Sequence, residues 1–383
     1  MTELNDHRGR AHALLSASSS ARWLACPPSA VAAEAYPQQD TEFTREGTLA
    51  HEVAEAVARE RLNGQDFAPA QWEAGVTAEM LECAKGYADY IQEQLKSNDA
   101  IVLLEQRVDF SPWVPDGFGT CDCIILQGDT MVIIDYKYGV GVAVSATENS
   151  QLMLYALGAL NDYGIACDVA KVEMHIYQPR INNVSQWAAK VEDLALWSEQ
   201  TVRPIAGQAV KGEGEYREGD HCRFCPHAGR CQRLTTACVE FVETHDLHVA
   251  VPVLAPWQVA EVLRLEPLVT LWLKKVKTQA LTTLLDGGEV PGYKVVEGKL
   301  GNRKWTDELQ VAETLRSAGY DLNDIAELKL FTPAAMDKSI GKQKVAELLD
   351  GFIERSPGAP TVVPETDKRP VYDRAAEFEK LED

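Results

Sequence analysis

Two aspartates and a lysine, Asp122, Asp135 and Lys137, stand in apolar surroundings where charge is costly. Asp122 precedes Cys123-Ile124-Ile125-Leu126, and Asp135 and Lys137 follow Met131-Val132-Ile133-Ile134. Between these runs, Gln127-Gly128-Asp129-Thr130 is a hairpin signal. If Gly128-Asp129 is a two-residue turn, 127 faces 130 and Asp122 faces Asp135 on one side of the ladder. Side chains alternate along a strand, so Lys137 shares the face of Asp135. Facing like charges destabilise a strand pair, and their burial needs compensation. A divalent cation held by both carboxylates compensates, because hard cations take oxygen ligands. Lys137 is then positioned to orient a water or to neutralise charge on a phosphate under attack. The chemistry this pattern favours is metal-assisted phosphodiester hydrolysis. Asp116 and Asp129 read as solvated caps.

A second group is the cysteine cluster. The nine cysteines are an odd number, which argues against a disulfide framework, and three of them fall in Cys222-x2-Cys225-x5-Cys231. That is metal-ligand spacing. Zinc would require four ligands, with His221 and His227 close by. An iron–sulfur cluster of the 4Fe–4S type would require a fourth thiolate. Cys238 lies in an apolar helical stretch, and Cys83, Cys121, Cys123 and Cys167 read as small buried hydrophobes. Cys26 follows Trp23-Leu24-Ala25, far upstream.

The elements that must position these groups follow from periodicity. Serines 16, 18, 19 and 20 suit a short helix ending at Cys26-Pro27. Residues 44–62 read as a helix with Leu49, Val53, Ala56, Val57 and Glu60 on one side and His51 and Glu55 on the other. Another helix spans Thr77 to Leu95. Strands are expected over 101–110, 119–126 and 131–138, then a helix over 148–162 carrying Gln151 and Tyr155 one turn apart, then a strand over 172–178. This order, helix, three strands, helix, strand, specifies an α/β core. Residues 193–210 read as helical, and 246–256 as a linker. Beyond it, 257–285 reads as helical with Pro267 starting a second segment. A hairpin over 290–305, further short helices, a Pro-rich stretch and a charged tail (377–383) follow. The domains expected are thus 14–245 and a mainly helical accessory region over 257–383.

Composition limits the partners. Net charge is −21 from 37 basic and 58 acidic residues, which excludes coating nucleic acid through bulk charge but not local contacts. Lys274, Lys275 and Lys277, with Lys294, Lys299, Arg303 and Lys304, are the candidate phosphate contacts. The chain is 45% hydrophobic, without an apolar run of membrane-spanning length or a signal-peptide core, so a cytoplasmic location without membrane contact is expected.

Taken together, these motifs resemble the PD-(D/E)xK nuclease superfamily, whose core is α-β-β-β-α-β, and within it the RecB-like exonucleases. Gly47-Thr48-Leu49-Ala50-His51-Glu52 is similar to their metal-ligand histidine motif. Gly119-Thr120-Cys121-Asp122 matches the aspartate of the second strand, Asp135-Tyr136-Lys137 the Asp/Glu-x-Lys motif, and Gln151 to Tyr155 the following Gln-x3-Tyr. The resemblance implies His51, Asp122, Asp135 and the backbone carbonyl of Tyr136 as ligands of Mg2+ or Mn2+. It implies Lys137 as the catalytic lysine, with Gln151 and Tyr155 positioning it or the DNA strand. One cysteine before the core and Cys-x2-Cys-x5-Cys after it, preceded by Ser16, Ser18, Trp23 and Pro27 around Cys26, resembles the iron–sulfur RecB-like nucleases of AddAB-type and CRISPR-associated systems. The implied 4Fe–4S ligands are Cys26, Cys222, Cys225 and Cys231. The whole chain looks like a phage and prophage family of stand-alone nucleases. That implies a metal-dependent DNA exonuclease in phage recombination or replication, with DNA and a single-strand annealing or single-strand-binding protein as partners. An endonuclease on branched DNA and a non-catalytic DNA-end-binding scaffold are the alternatives. Glu55 and Glu105 are not among the expected ligands.

Overall fold

The computed structural model describes residues 13–36, 42–63, 75–97, 99–164, 167–244 and 256–296, then 308–317 and 341–349 with the single positions 336 and 352. The chain divides into two units, Met1–Val296 and Glu297–Asp383.

The first unit is a mixed α/β structure around a five-stranded sheet. Helix α1 (Ser20–Ala25) and α2 (Ser29–Glu34) open it, followed by α3 (Glu42–Asn63) and α4 (Ala78–Glu93). The strands are β1 (Ile101–Asp109), β2 (Phe118–Gln127) and β3 (Thr130–Tyr136). Helix α5 (Ser150–Tyr163) crosses to β4 (Lys171–Gln178), and β5 (Asn183–Lys190) ends the sheet. Strand order is sequential; β3 and β4 are parallel, as a helical crossover requires, and the other neighbours are antiparallel.

The β2–β3 register is the one the two-residue turn dictates: Gln127 pairs with Thr130 and Cys123 with Ile134. Both faces of this hairpin are covered. Ile124, Leu126, Met131 and Ile133 pack with Leu152, Leu154 and Ala156 of α5. Cys123, Ile125, Val132 and Ile134 pack with Ala50, Val53, Ala54, Val57 and Ala58 of α3 and with Ala84, Tyr87 and Ile91 of α4. The buried stripe of α3 thus includes Ala50, Ala54 and Ala58, while Glu60 faces solvent. Thr77 caps α4 by accepting from Met80 N–H, and Asn149 caps α5 by accepting from Gln151 and Leu152 N–H.

Three sequence expectations change here. Strand β5 was not foreseen: its inward positions include Asn183 and Ser185, which blur the apolar alternation. Those side chains hold the loop before α5, Asn183 donating to Val144 O at 2.9 Å and Ser185 accepting from Ala146 N at 2.9 Å. Second, 191–209 is helical as α6 (Val191–Trp197) and α7 (Arg203–Ala209), joined by one π-turn over Ser198–Val202 ahead of Pro204. Third, the long helix α9 (Pro256–Leu285), which follows α8 (Gln232–Thr244), runs unbroken through Pro267. A proline removes one helical hydrogen bond; Leu268, Val269, Leu271 and Trp272 beyond it pack on the cysteine region and keep the chain helical. Gly229 makes the approach possible, since a Cβ there would lie 2.6 Å from Lys275 O.

Residues 290–296 form a turn and coil with no strand, so the described part of the expected 290–305 hairpin is not one. Most of the linker, the Pro-rich stretch and the acidic tail lie outside the described residues. Within the second unit, α10 (Glu308–Ser317) and α11 (Lys342–Leu349) are described. Among the described residues, no helix is long and apolar enough to cross a membrane.

Candidate active site and cysteine centre

The site forms where β2 loses its ladder on both sides. Along β1–β2 the pairs run Leu104↔Cys123 and then Gln106↔Cys121, passing over Glu105 and Asp122, which that register sets opposite one another. Glu105 has φ 51°, in the left-handed region, inside a strand. On the other side the last β2–β3 pair is Cys123↔Ile134, and one step further Asp135 falls opposite Asp122. There β3 stays with β4 instead, pairing Asp135↔Ile176 and Tyr136↔Tyr177. Glu105, Asp122 and Asp135 therefore form a row of carboxylates across three strands at the point where the ladder opens. The Tyr136 N–H, which has no β2 carbonyl to meet, donates to Asp122 Oδ2 at 2.7 Å.

Helix α3 brings His51 to this row. Its Nδ1 lies 3.5 Å from Asp122 Oδ1, and its ring stands edge-on to Tyr136 at 5.3 Å between centroids. Donor atoms of His51, Glu105 and Asp122 all lie within 4.8 Å of one another. Asp135 is not one of these three. Its carboxylate meets Lys137 Nζ at 2.9 Å through Oδ2 and 3.2 Å through Oδ1, and accepts from Gln151 Nε2 at 3.0 Å. Gln151 also donates to the Tyr155 hydroxyl at 3.2 Å and accepts from Lys137 at 3.4 Å. All six residues singled out by the sequence for this site, with the Tyr136 backbone, are thus in one locality. Glu105 is the residue that reasoning left out; the β1–β2 register, which no short turn betrays, would have found it. Glu55 is engaged by Arg59 at 2.7 Å, the salt-bridge role.

Electrostatics bind the group together. Burial lowers the pKa of His51, but Asp122 more than offsets it and raises the value to about 8. Burial works against the Asp122 carboxylate, yet His51, Lys137 and the Tyr136 N–H hold it below its ordinary range. Asp135 is pushed up by burial and by Asp122, against the pull of Lys137. Lys137 is half-buried, which works against its charge, but Asp135 and Asp122 raise its pKa and keep it charged. Glu105 is raised to about 8 by burial and by Asp122. Three carboxylates at such spacing cannot all ionise cheaply without a counter-charge. Asp135 is 2% exposed, and its Oδ2, though close to the ammonium, receives no aligned hydrogen bond. An imidazole nitrogen and several carboxylate oxygens, one of them buried without an aligned hydrogen bond, fit a divalent cation.

The second cluster assembles next to α1, which Ser20 ties to Ser150 at the N-terminal end of α5. Trp23 is fully buried and donates from its indole to Ser16 O at 3.1 Å, and Ser20 Oγ meets Ser150 Oγ at 2.6 Å. These contacts fix α1 on α5, and Cys26 follows directly as the helix cap. Cys222 lies on a short 3-10 turn over 220–224, Cys225 joins it to a second over 226–230, and Cys231 caps that one. Cys26, Cys222, Cys225 and Cys231 line one small cavity, beside His221 and His227. His221 Nε2 is within 2.9 Å of Arg217 O, and His227 Nδ1 within 3.2 Å of the Tyr36 hydroxyl. Four cysteines around one cavity are the donor residues an iron–sulfur cluster takes. Cys238 is buried against Leu234 and α9 and does not line that cavity. Cys121 and Cys123 are buried as expected, whereas Cys83 and Cys167 are half-buried.

Of the candidate phosphate contacts, Lys274, Lys277 and Lys294 are exposed and Lys275 is half-buried. Lys299, Arg303 and Lys304 lie outside the described residues.

A family model described as "Protein of unknown function (DUF2800)" matches residues 12–370. A solved structure titled "Crystal structure of SSO0001" is 15% identical, covering 47% of this chain and 85% of its own, with a TM-score of 0.23, too distant to carry an argument.

Proposed function

The chain belongs to the DUF2800 family, and we propose that it is a magnesium- or manganese-dependent deoxyribonuclease of the RecB-like PD-(D/E)xK kind that degrades DNA from its ends. The observation that carries this reading is the gathering of His51 and carboxylates from three strands where the β2 ladder opens, with Lys137 beside Asp135. A purely structural role gives no reason to bury facing aspartates.

In this reading His51, Asp122, Asp135 and the Tyr136 carbonyl hold the cation. When bound, such an ion polarises a phosphate oxygen and lowers the pKa of an attacking water. The remaining tasks belong to the chain. Lys137 keeps its proton because Asp135 and Asp122 surround it, so it neutralises charge on the phosphate. Gln151 holds both Lys137 and Asp135, and the Tyr155 hydroxyl steadies Gln151. Cys26, Cys222, Cys225 and Cys231 hold a 4Fe–4S cluster whose role is structural: it closes a loop of about 200 residues, which restricts the unfolded chain. Action in phage DNA recombination or replication, alongside a single-strand annealing or single-strand-binding protein, rests on the family resemblance alone.

A chain of charge −21 gains little from long-range attraction to duplex DNA, so an end that can be led to the metal is the favoured entry. The test is a time course with Mn2+ on linear and covalently closed circular DNA of one sequence. Loss of the linear form with the circle intact is expected. Equal rates would replace the exonuclease by an endonuclease, and binding without cleavage would replace both by a scaffold.

A further inference from the structure

Resting on the metal-dependent reading of the site, we propose that Glu105 is a metal ligand supplied by β1, on the far side of Asp122 from Asp135. Its carboxylate shares a 4.8 Å neighbourhood with His51 and Asp122. The backbone is bent to put it there. A glutamate at φ 51° costs about 1–3 kcal/mol, and such positions persist where the surroundings over-determine them. The pairs on either side, Leu104↔Cys123 and Gln106↔Cys121, keep one register, so no residue is inserted and the distortion turns a single side chain. The Leu104 carbonyl beside it is satisfied separately, accepting from Gln106 Nε2 at 2.8 Å and Arg59 at 3.2 Å.

The counter-charge beside Glu105 is the His51 imidazole, which Asp122 also engages at 3.5 Å. Among the described residues no lysine or arginine forms an ion pair with Glu105, and Arg59 is taken by Glu55 at 2.7 Å. On the other side of Asp122, the buried Asp135 Oδ2 has only the Lys137 ammonium at 2.9 Å and no aligned hydrogen bond, which leaves its lone pairs open to a ligand role. With Glu105 the donor set becomes one imidazole nitrogen and three carboxylates, a set suited to Mn2+ or Mg2+.

The experiment is calorimetric titration of Mn2+ into the intact, DNA-free protein, with circular dichroism to verify the fold. Wild type should bind, and Glu105→Gln, which keeps shape and removes charge, should weaken affinity at least about tenfold, since even residues outside the ligand shell cost that much. Glu105→Asp, which keeps charge and shortens reach, should fall between them and serves if the glutamine variant fails to fold. Glu55→Gln should bind as wild type does. Unchanged affinity in Glu105→Gln beside loss in His51→Ala would overturn the Glu105 assignment while leaving the metal site standing. Absence of Mn2+ binding by wild type would overturn both.

Discussion

At the residue scale, the site is a set of charges that tolerate one another only in certain protonation states. Glu105 titrates at about 8 in the folded chain against an ordinary 4.5, so its ionisation penalises folding increasingly from pH 4.5 to 8. His51 is raised from 6.5 to about 8, so its favourable contribution is complete below pH 6.5 and lost as pH rises through 8. Both act in the same direction, and the metal-free protein should lose stability between pH 6.5 and 8. Thermal melts in EDTA across that range check this: the midpoint should fall with pH, with a shallower slope in Glu105→Gln. A midpoint that rises through the window in wild type would contradict these charge states. Asp122, Asp135 and Lys137 were legible in the sequence because each is a charged residue breaking an apolar run, whereas His51, on an alanine-rich helix, was singled out only by the family resemblance. Glu105 was not legible, because its partner in the ladder is set by a β1–β2 connection whose length does not declare a register.

At the element scale, register decides the chemistry. The Gly128-Asp129 turn fixes β2 against β3, so the facing aspartates could be read from the sequence. Strand β5 could not, since Asn183 and Ser185 face inward to serve a loop and resemble turn residues locally. The helix α5 is held over the site by a close approach: a Cβ on Gly119 would lie 2.7 Å from Tyr155 Cε1. Tyr155 supports Gln151, which in turn holds Lys137. Gly119→Ala should therefore displace the Tyr155 ring, destabilise the fold by about 1–3 kcal/mol as overpacking does, and lower nuclease activity at temperatures where the variant remains folded. Denaturant unfolding and cleavage assays on the same preparation would check it, and wild-type values in both would mean that the ring moves freely. Pro267 carries a related lesson. It read as a helix start, but the packing of Leu268, Val269, Leu271 and Trp272 on the cysteine region overrides the local preference.

At the scale of the whole molecule, the two ends of the α/β unit meet at four thiols. Cys26 and Cys231 are far apart in sequence, and their common cavity links α1, which rests on α5, to the turns under α9. Cys26→Ala should remove most of the iron and sulfide from protein purified without oxygen and lower its melting temperature. Metal analysis finding full iron and sulfide in that variant, or one zinc and no sulfide in wild type, would sink the cluster. The acidic balance of the chain argues that DNA contacts are local and weakened by salt. The most direct measurement is release of nucleotides from end-labelled linear DNA by the anaerobically purified protein with Mn2+, compared with Asp135→Ala and Lys137→Ala. Release by wild type and none by either variant is expected, with Lys137→Ala still binding Mn2+ in the absence of DNA. Wild-type release by Asp135→Ala would contradict this reading of the site.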